Sequence, residues 1–215
     1  MTIPLNVARL DHPRFSAAAA GARLGGVDSR GVRAFFEQVS AQWDDMRSSF
    51  YNEDVIDALA EHGRVTAASR VVDVGTGTGF VAAGLAGRAG TVTGIDNSPA
   101  MLAVAARNLA ALDAGNVQLV QGELERLPFA DGSADVAVAN MVLHHAPDPG
   151  RMLGEMARVV RPGGMIAVTD EVEHPYEWMR AEQADVWLGF TPAQVEGYFG
   201  QSRLAGYGYA SLGTQ

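Results

Sequence analysis

The sequence contains no cysteine, so disulfides, zinc–thiolate centres and a cysteine nucleophile are excluded. It contains no lysine either: each of its 16 basic residues is an arginine. Schiff-base chemistry and a phosphate-loop lysine are therefore excluded too. No apolar run is long enough to span a bilayer. Arg9, Asp11 and Arg14 stand where a secretory signal needs an apolar stretch, which points to a cytoplasmic location. A formal net charge of −9 argues against nucleic acid or an anionic membrane as partner, although a local basic pocket is compatible with it.

What is present is ordinary for a globular chain. Its 215 residues are 47% hydrophobic and 19% charged, enough for one domain with a full core. Residues 1–30 show no periodicity, and the run Ala17-Ala18-Ala19-Ala20-Gly21 reads as part of a mobile extension or lid. Residues 31–62 read as a helical cap carrying Phe35, Phe36, Trp43, Phe50 and Tyr51. Most of these aromatics are expected to pack on the main domain, with one or two covering a ligand.

From about residue 64, strand-like and helix-like runs alternate. Val71-Val72-Asp73-Val74 is β-branched and apolar, as in a strand buried on both faces of a parallel sheet. Further strands are read at Thr91–Ile95, Val117–Val120, Asp135–Ala139 and Met165–Thr169. Ser98-Pro99 opens a helix, with serine as cap and proline at the first helical position. Arg161-Pro162-Gly163-Gly164 closes another. The order β-α-β-α-β-β-α-β implies right-handed crossovers and an α/β, doubly wound, mostly parallel sheet. The domain is expected over 31–215, with a binding core at 64–170 and an acceptor-pocket segment at 171–205.

Gly75-Thr76-Gly77-Thr78-Gly79 joins the first of these strands to a helix. Alternating glycines permit a tight turn and let a ligand approach the backbone closely. Asp96 follows Gly79 by 17 residues, at the end of the next strand, where a carboxylate can accept hydrogen bonds from both hydroxyls of a ribose. These two features also fit a dinucleotide, so an NAD-dependent oxidoreductase stays open. The spacing is unfavourable to it: a pyrophosphate prefers Gly-x-Gly-x-x-Gly, and Phe80 holds the place of the third glycine.

Five ordered segments then carry a resemblance. Asp73–Gly79 resembles motif I of class I methyltransferases, and Gly94-Ile95-Asp96-Asn97-Ser98-Pro99-Ala100-Met101-Leu102 resembles their second motif. Gln121–Phe129 is similar to the adenine loop, Asp135–Asn140 with Leu143-His144-His145 to motif IV and its extension, and Leu153–Gly164 to the helix and turn that follow. The nearest group is methyltransferase type 11, which includes quinone-ring methylases, and the resemblance covers about residues 31–175.

The resemblance implies S-adenosylmethionine as cofactor, S-adenosylhomocysteine as product and a small-molecule acceptor. It implies that Asp73 and the backbone of Gly75, Thr76, Gly77 and Gly79 flank the methionine moiety. Asp96 would bind the ribose, and Asn97 and Met101 would border the adenine. After Gly122 the family commonly has an aspartate that holds the adenine amino group. Here Glu123 stands in its place, with the Leu124 N–H completing the contact. Asn140 would lie where the methionine part meets the acceptor.

A methyl sulfonium is already an electrophile, so alignment and exclusion of water are the main demands, with a general base where the nucleophile carries a proton. His145, His144 and His174 are the candidate bases, near the ends of the fourth and fifth of these strands. Asp170, Glu171 and Glu173 with a histidine offer metal donors, but no tight ligand spacing supports a site, and no metal is assigned.

Trp178, Trp187 and Phe190 are candidates for an apolar acceptor wall or, equally, for the core. This region is similar to one in bacterial methyltransferases, some fused to arsenic-repressor-type regulators. The usual thiolate route of arsenite methylation is unsupported without cysteine.

The family sheet normally ends in an antiparallel pair of strands. Gly206–Gly213 supplies one, and the chain ends at Gln215 without room for a second. Either the sequence is a fragment, or a second copy or the N-terminal arm covers the exposed edge. A homodimer is thus one expectation. A cofactor-binding regulatory or scaffold protein that has lost turnover is the alternative to an enzyme.

Overall fold

Residues 3–8, 29–202, 204 and 206–212 are described by a computed structural model. Side-chain alternation along three strands shows how the sheet is built. Val71, Val136, Val138, Met165 and Ala167 face helices α3 (Asp54–His62) and α4 (Phe80–Ala86), burying Val55, Ile56, Leu59, Val81 and Leu85. The intervening residues Val72, Val74, Ala137, Ala139, Ile166 and Val168 face the opposite way, against α6 (Pro149–Val159) and α8 (Pro192–Gln201). Period-two burial with both faces covered is what a doubly wound parallel sheet requires.

The strands are β1 (Ile3–Ala8), β2 (Arg70–Val74), β3 (Thr91–Asp96), β4 (Val117–Gln121), β5 (Ala134–Asn140), β6 (Val160–Glu171) and β7 (Tyr207–Leu212). They lie in the order β4-β3-β2-β5-β6-β1-β7, and every pairing among the described residues is parallel. The chain runs outward from β2 through β3 to β4, then returns to β5 on the other side of β2. The crevice beyond the carboxyl ends of β2, β3 and β5 is therefore the topological switch point, where open α/β sheets take their ligands.

Three helices start in the same way. Proline occupies the first turn of α5 (Pro99–Ala111), α6 and α8, and the preceding Ser98, Asp148 or Thr191 accepts a backbone N–H. Thr191 and Gln194 complete a reciprocal capping box. The helical cap read over 31–62 is three helices: α1 (Ser29–Val39), α2 (Trp43–Arg47) and α3; the short α7 (Trp178–Glu182) precedes α8.

Three expectations change. β6 begins at Val160 and passes through the Pro-Gly-Gly turn as an irregularity opposite Ala134 and Val136. Gly164 is needed there, because a Cβ would lie 2.4 Å from the Asp135 carbonyl. The C-terminal strand β7 is parallel to its neighbour, where the family pattern predicted antiparallel. Residues 3–8, assigned to a mobile extension, form β1 between β6 and β7. Six residues interrupted by Pro4 are too short a pattern to read as a strand, and their pairing is entirely non-local. The N-terminal arm covers the edge of β6, since β1 lies between β6 and β7. The extension expected over residues 9–28 lies outside the described residues. No helix among the described residues is long and apolar enough to cross a membrane.

Candidate functional site

The loop after β2 is shaped by its glycines. Gly75, Gly77 and Gly79 have φ of +75°, +53° and +84°, a backbone region that L side chains rarely adopt. Their roles differ. A Cβ on Gly75 would lie 2.4 Å from Val142 Cγ2, so this glycine admits the chain after β5. A Cβ on Gly79 would press on Ala105 at 3.2 Å, so it lets α4 pack against α5. A Cβ on Gly77 would meet only Trp43 Nε1, at 3.9 Å; its free side opens on a cleft.

Asp96 holds this loop. One carboxylate oxygen accepts the Gly77 N–H and the other the Ser98 N–H, each at 2.9 Å. Burial raises its pKa, against the pull of these N–H groups. Asp73 is 1% exposed and accepts the Thr76 hydroxyl at 2.6 Å. Burial pushes its carboxyl up to about 7, with Asp96 adding to the shift.

The helical cap reaches the same loop. Asp44 of α2 accepts hydrogen bonds from the Thr78 hydroxyl at 2.7 Å and the Asn108 amide at 2.9 Å. Burial alone would raise its pKa, but these bonds and Arg47 outweigh burial and hold it low. Arg47 stacks over Phe80, 3.7 Å from the ring centroid. The cap thereby brings Phe36, Trp43 and Tyr51 over the cleft.

The cleft spans about 960 Å³ when the open solvent at its mouth is included. Asp73, Gly75, Thr76 and Gly77 line it from β2, and Asp96, Asn97 and Met101 from β3 and α5. Glu123 and Leu124 line it beyond β4, and Asn140 at the end of β5. Gly79 and Gly122 are not in the lining; a Cβ on Gly122 would meet Ile95 at 2.9 Å, so its glycine serves packing. Among the described residues the lining carries four carboxylates, Asp73, Asp96, Glu123 and Glu125, and no arginine.

The three candidate bases are placed differently. His145 lines the cleft, and its Nδ1 lies 3.2 Å from the Ala184 carbonyl. Burial and the adjacent His144 push its pKa well down. His144 lies behind it, Nδ1 2.7 Å from Asp170. Burial opposes its protonation, but Asp170 and Glu171 outweigh burial and raise its pKa. His174 bonds Glu171 at 2.8 Å and is outside the cleft lining. A smaller, shallow cavity of about 280 Å³, open solvent included, shares Trp43, Tyr51, Met141 and His145 with the cleft and extends to His144, Glu171 and Met179. Met141, between the two, has φ +53°, and such strained residues cluster at functional sites.

Trp187 is tied to this corner rather than forming a free wall. Its indole donates to the Ala146 carbonyl at 2.9 Å and its backbone N–H to His144. Phe190 is core, 1% exposed. The sequence reading missed two features: the Asp44–Thr78 link, which no local pattern announces, and Asp185, a buried acid far along the chain from its neighbours.

Residues 72–168 match the family model described as a methyltransferase domain. Over residues 72–168 the chain carries a class I methyltransferase domain of the type 11 group. The methyltransferase domain is 42% identical over 106 residues to an arsenite methyltransferase of Halobacterium salinarum, covering 48% of this chain and 27% of that protein. It is 38% identical over 144 residues to a demethylmenaquinone methyltransferase of Geobacillus kaustophilus, covering 62% and 60%. The chain thus spans less than two thirds of the length of these relatives. Its fold is shared with Haemonchus contortus phosphoethanolamine N-methyltransferase 2, solved with S-adenosyl-L-methionine, at a TM-score of 0.68, 21% identity and coverage of 83% and 45%.

Proposed function

We propose that the chain binds S-adenosylmethionine in the cleft and transfers its methyl group to a small-molecule acceptor. The observation that carries this reading is the charge of the lining. Four carboxylates, with no arginine among the described lining residues, suit a ligand bearing a sulfonium and an ammonium, and oppose the two phosphates of a dinucleotide. The open side of Gly77 fits the same ligand, since it leaves a bare backbone for close approach.

In this reading Asp96 uses its remaining lone pairs for the ribose hydroxyls. Asp73 faces the cationic methionine end, with Gly75, Thr76 and Gly77 beside it. Asn97 and Met101 border the adenine, and Glu123 with the Leu124 N–H takes its amino edge. Asn140, fixed by the Thr169 hydroxyl at 2.7 Å, stands at the boundary with the acceptor. When bound, the cofactor supplies a methyl group already activated on sulfur. The chain's share is alignment and exclusion of water by Phe36, Trp43 and Tyr51. The acceptor approaches from the side of the smaller cavity, which shares His145 with the cleft. Residues 31–62 act as the cap, 64–170 as the cofactor-binding core and 171–205 as the acceptor segment.

Incubation with methyl-labelled S-adenosylmethionine and the small-molecule fraction of a cell extract tests the reading. Label is expected in a small organic product. Label that stays entirely on the cofactor contradicts it.

A further inference from the structure

Asp185 is fully buried, and neither of its carboxylate oxygens has a hydrogen-bond partner. An unsatisfied buried carboxylate is costly unless something charged completes it. What surrounds it is a set of metal donors. Its Oδ1 lies 3.7 Å from His144 Nε2 and 3.9 Å from His145 Nδ1, whose proton, donated to the Ala184 carbonyl at 3.2 Å, an ion would displace. Both separations from Asp185 are too long for hydrogen bonds. They are a few tenths of an ångström above the about 3.3 Å expected between donors of a tetrahedral ion with bonds of roughly 2.0–2.1 Å.

We propose that His144, His145 and Asp185 hold a divalent transition-metal ion at the inner end of the acceptor cavity. The proposal rests on the reading of that cavity as the acceptor site. Two imidazoles and one carboxylate suit such an ion and leave coordination positions open.

The surroundings are arranged for ligation. Asp170 accepts the N–H groups of Leu143 and Glu171, each at 2.8 Å, which fixes its carboxylate in place. It takes the Nδ1 proton of His144 at 2.7 Å and leaves Nε2 to face Asp185, the carboxylate–histidine–metal relay that orients metal-binding imidazoles. On the far side Asp185 approaches a second donor group with Glu171 and His174. Those two already satisfy each other at 2.8 Å, so they serve as an outer shell.

Asp185 is held where it is by its own segment. Ala184 has φ +62°, and the N–H groups of Val186 and Trp187 both bond the His144 carbonyl. The donors come from the turn after β5 and from a loop about 40 residues later, which is why sequence spacing gave no sign of the site. His144 and His145 also line the smaller cavity, so a heteroatom of the acceptor can occupy an open position on the ion.

The test is titration of the tag-free, chelator-stripped chain with Co²⁺, followed by visible ligand-field absorption, with S-adenosylhomocysteine calorimetry on the same samples. One ion per chain is expected, with bands lost in Asp185→Asn and in His145→Ala and kept in His62→Ala and His174→Ala. Unchanged S-adenosylhomocysteine affinity in Asp185→Asn would show that the variant is folded and the loss local. Absence of one-to-one Co²⁺ binding by the unaltered chain overturns the site, whatever the variants do. Bands that survive in His145→Ala overturn the ligand set. If Co²⁺ binds but S-adenosylhomocysteine does not, the cofactor reading fails and the metal site stands.

Discussion

Asp96 accepts the Gly77 N–H at 2.9 Å, and this bond ties the end of β3 to the loop after β2. The acid proposed to read the ribose therefore also shapes the glycine loop. Asp96→Ala is expected to weaken S-adenosylmethionine binding about 10- to 100-fold, the loss of about 1.5–3 kcal/mol of charge-assisted hydrogen bonding. It is also expected to lower the melting temperature, because Gly77 and Ser98 lose their acceptor. Calorimetry and thermal melting check the two effects; unchanged affinity in a folded variant would count against the assignment.

The neighbouring glycines predict opposite outcomes. Gly77→Ala puts a methyl group on the open side of the loop, so cofactor affinity falls by more than tenfold while stability drops about 1 kcal/mol for the left-handed backbone. Gly79→Ala meets Ala105 instead, so stability falls further and affinity follows only indirectly. Equal effects on affinity from both would contradict the distinction.

Asp73 predicts a pH dependence. Its carboxyl is raised by burial to about 7 in the free protein. A folded value above the unfolded one makes its contribution to stability complete below roughly pH 4, lost as pH rises through about 7. A cationic ligand favours the ionised form. Its affinity is therefore expected to rise about tenfold or more between pH 5.5 and 7.5. Calorimetry on Asp73→Asn should show a flat profile over the same range; an equal slope in that variant would assign the titration elsewhere.

The cap predicts coupling between stability and binding. Asp44→Ala removes the bonds to Thr78 and Asn108, and about 1–3 kcal/mol of stability with them. Because α2 also carries Trp43 to the cleft, cofactor affinity should fall with it. A melting-temperature drop without any change in affinity would show that the cap does not close on the ligand.

Much of this architecture was legible in local patterns. The β-branched run at Val71–Val74, the glycine loop and the Ser98-Pro99 cap each encode their geometry within a few residues. The order of elements from β2 to β6 followed from them. What was not legible depends on contacts between distant segments. β1 pairs with residues more than 150 positions away, Asp44 reaches Thr78 across the cap, and Asp185 meets His144 only after the chain has crossed β6. Gly79 shows a subtler limit: a motif marks it as part of a ligand loop, but only packing shows that its missing Cβ makes room for α5.

The most direct test of the central claim is isothermal titration of the chain with S-adenosylmethionine, S-adenosylhomocysteine and NAD. The four carboxylates of the cleft predict saturable one-to-one binding of both sulfur ligands and none of NAD. Binding of NAD, or of neither sulfur ligand, would contradict it.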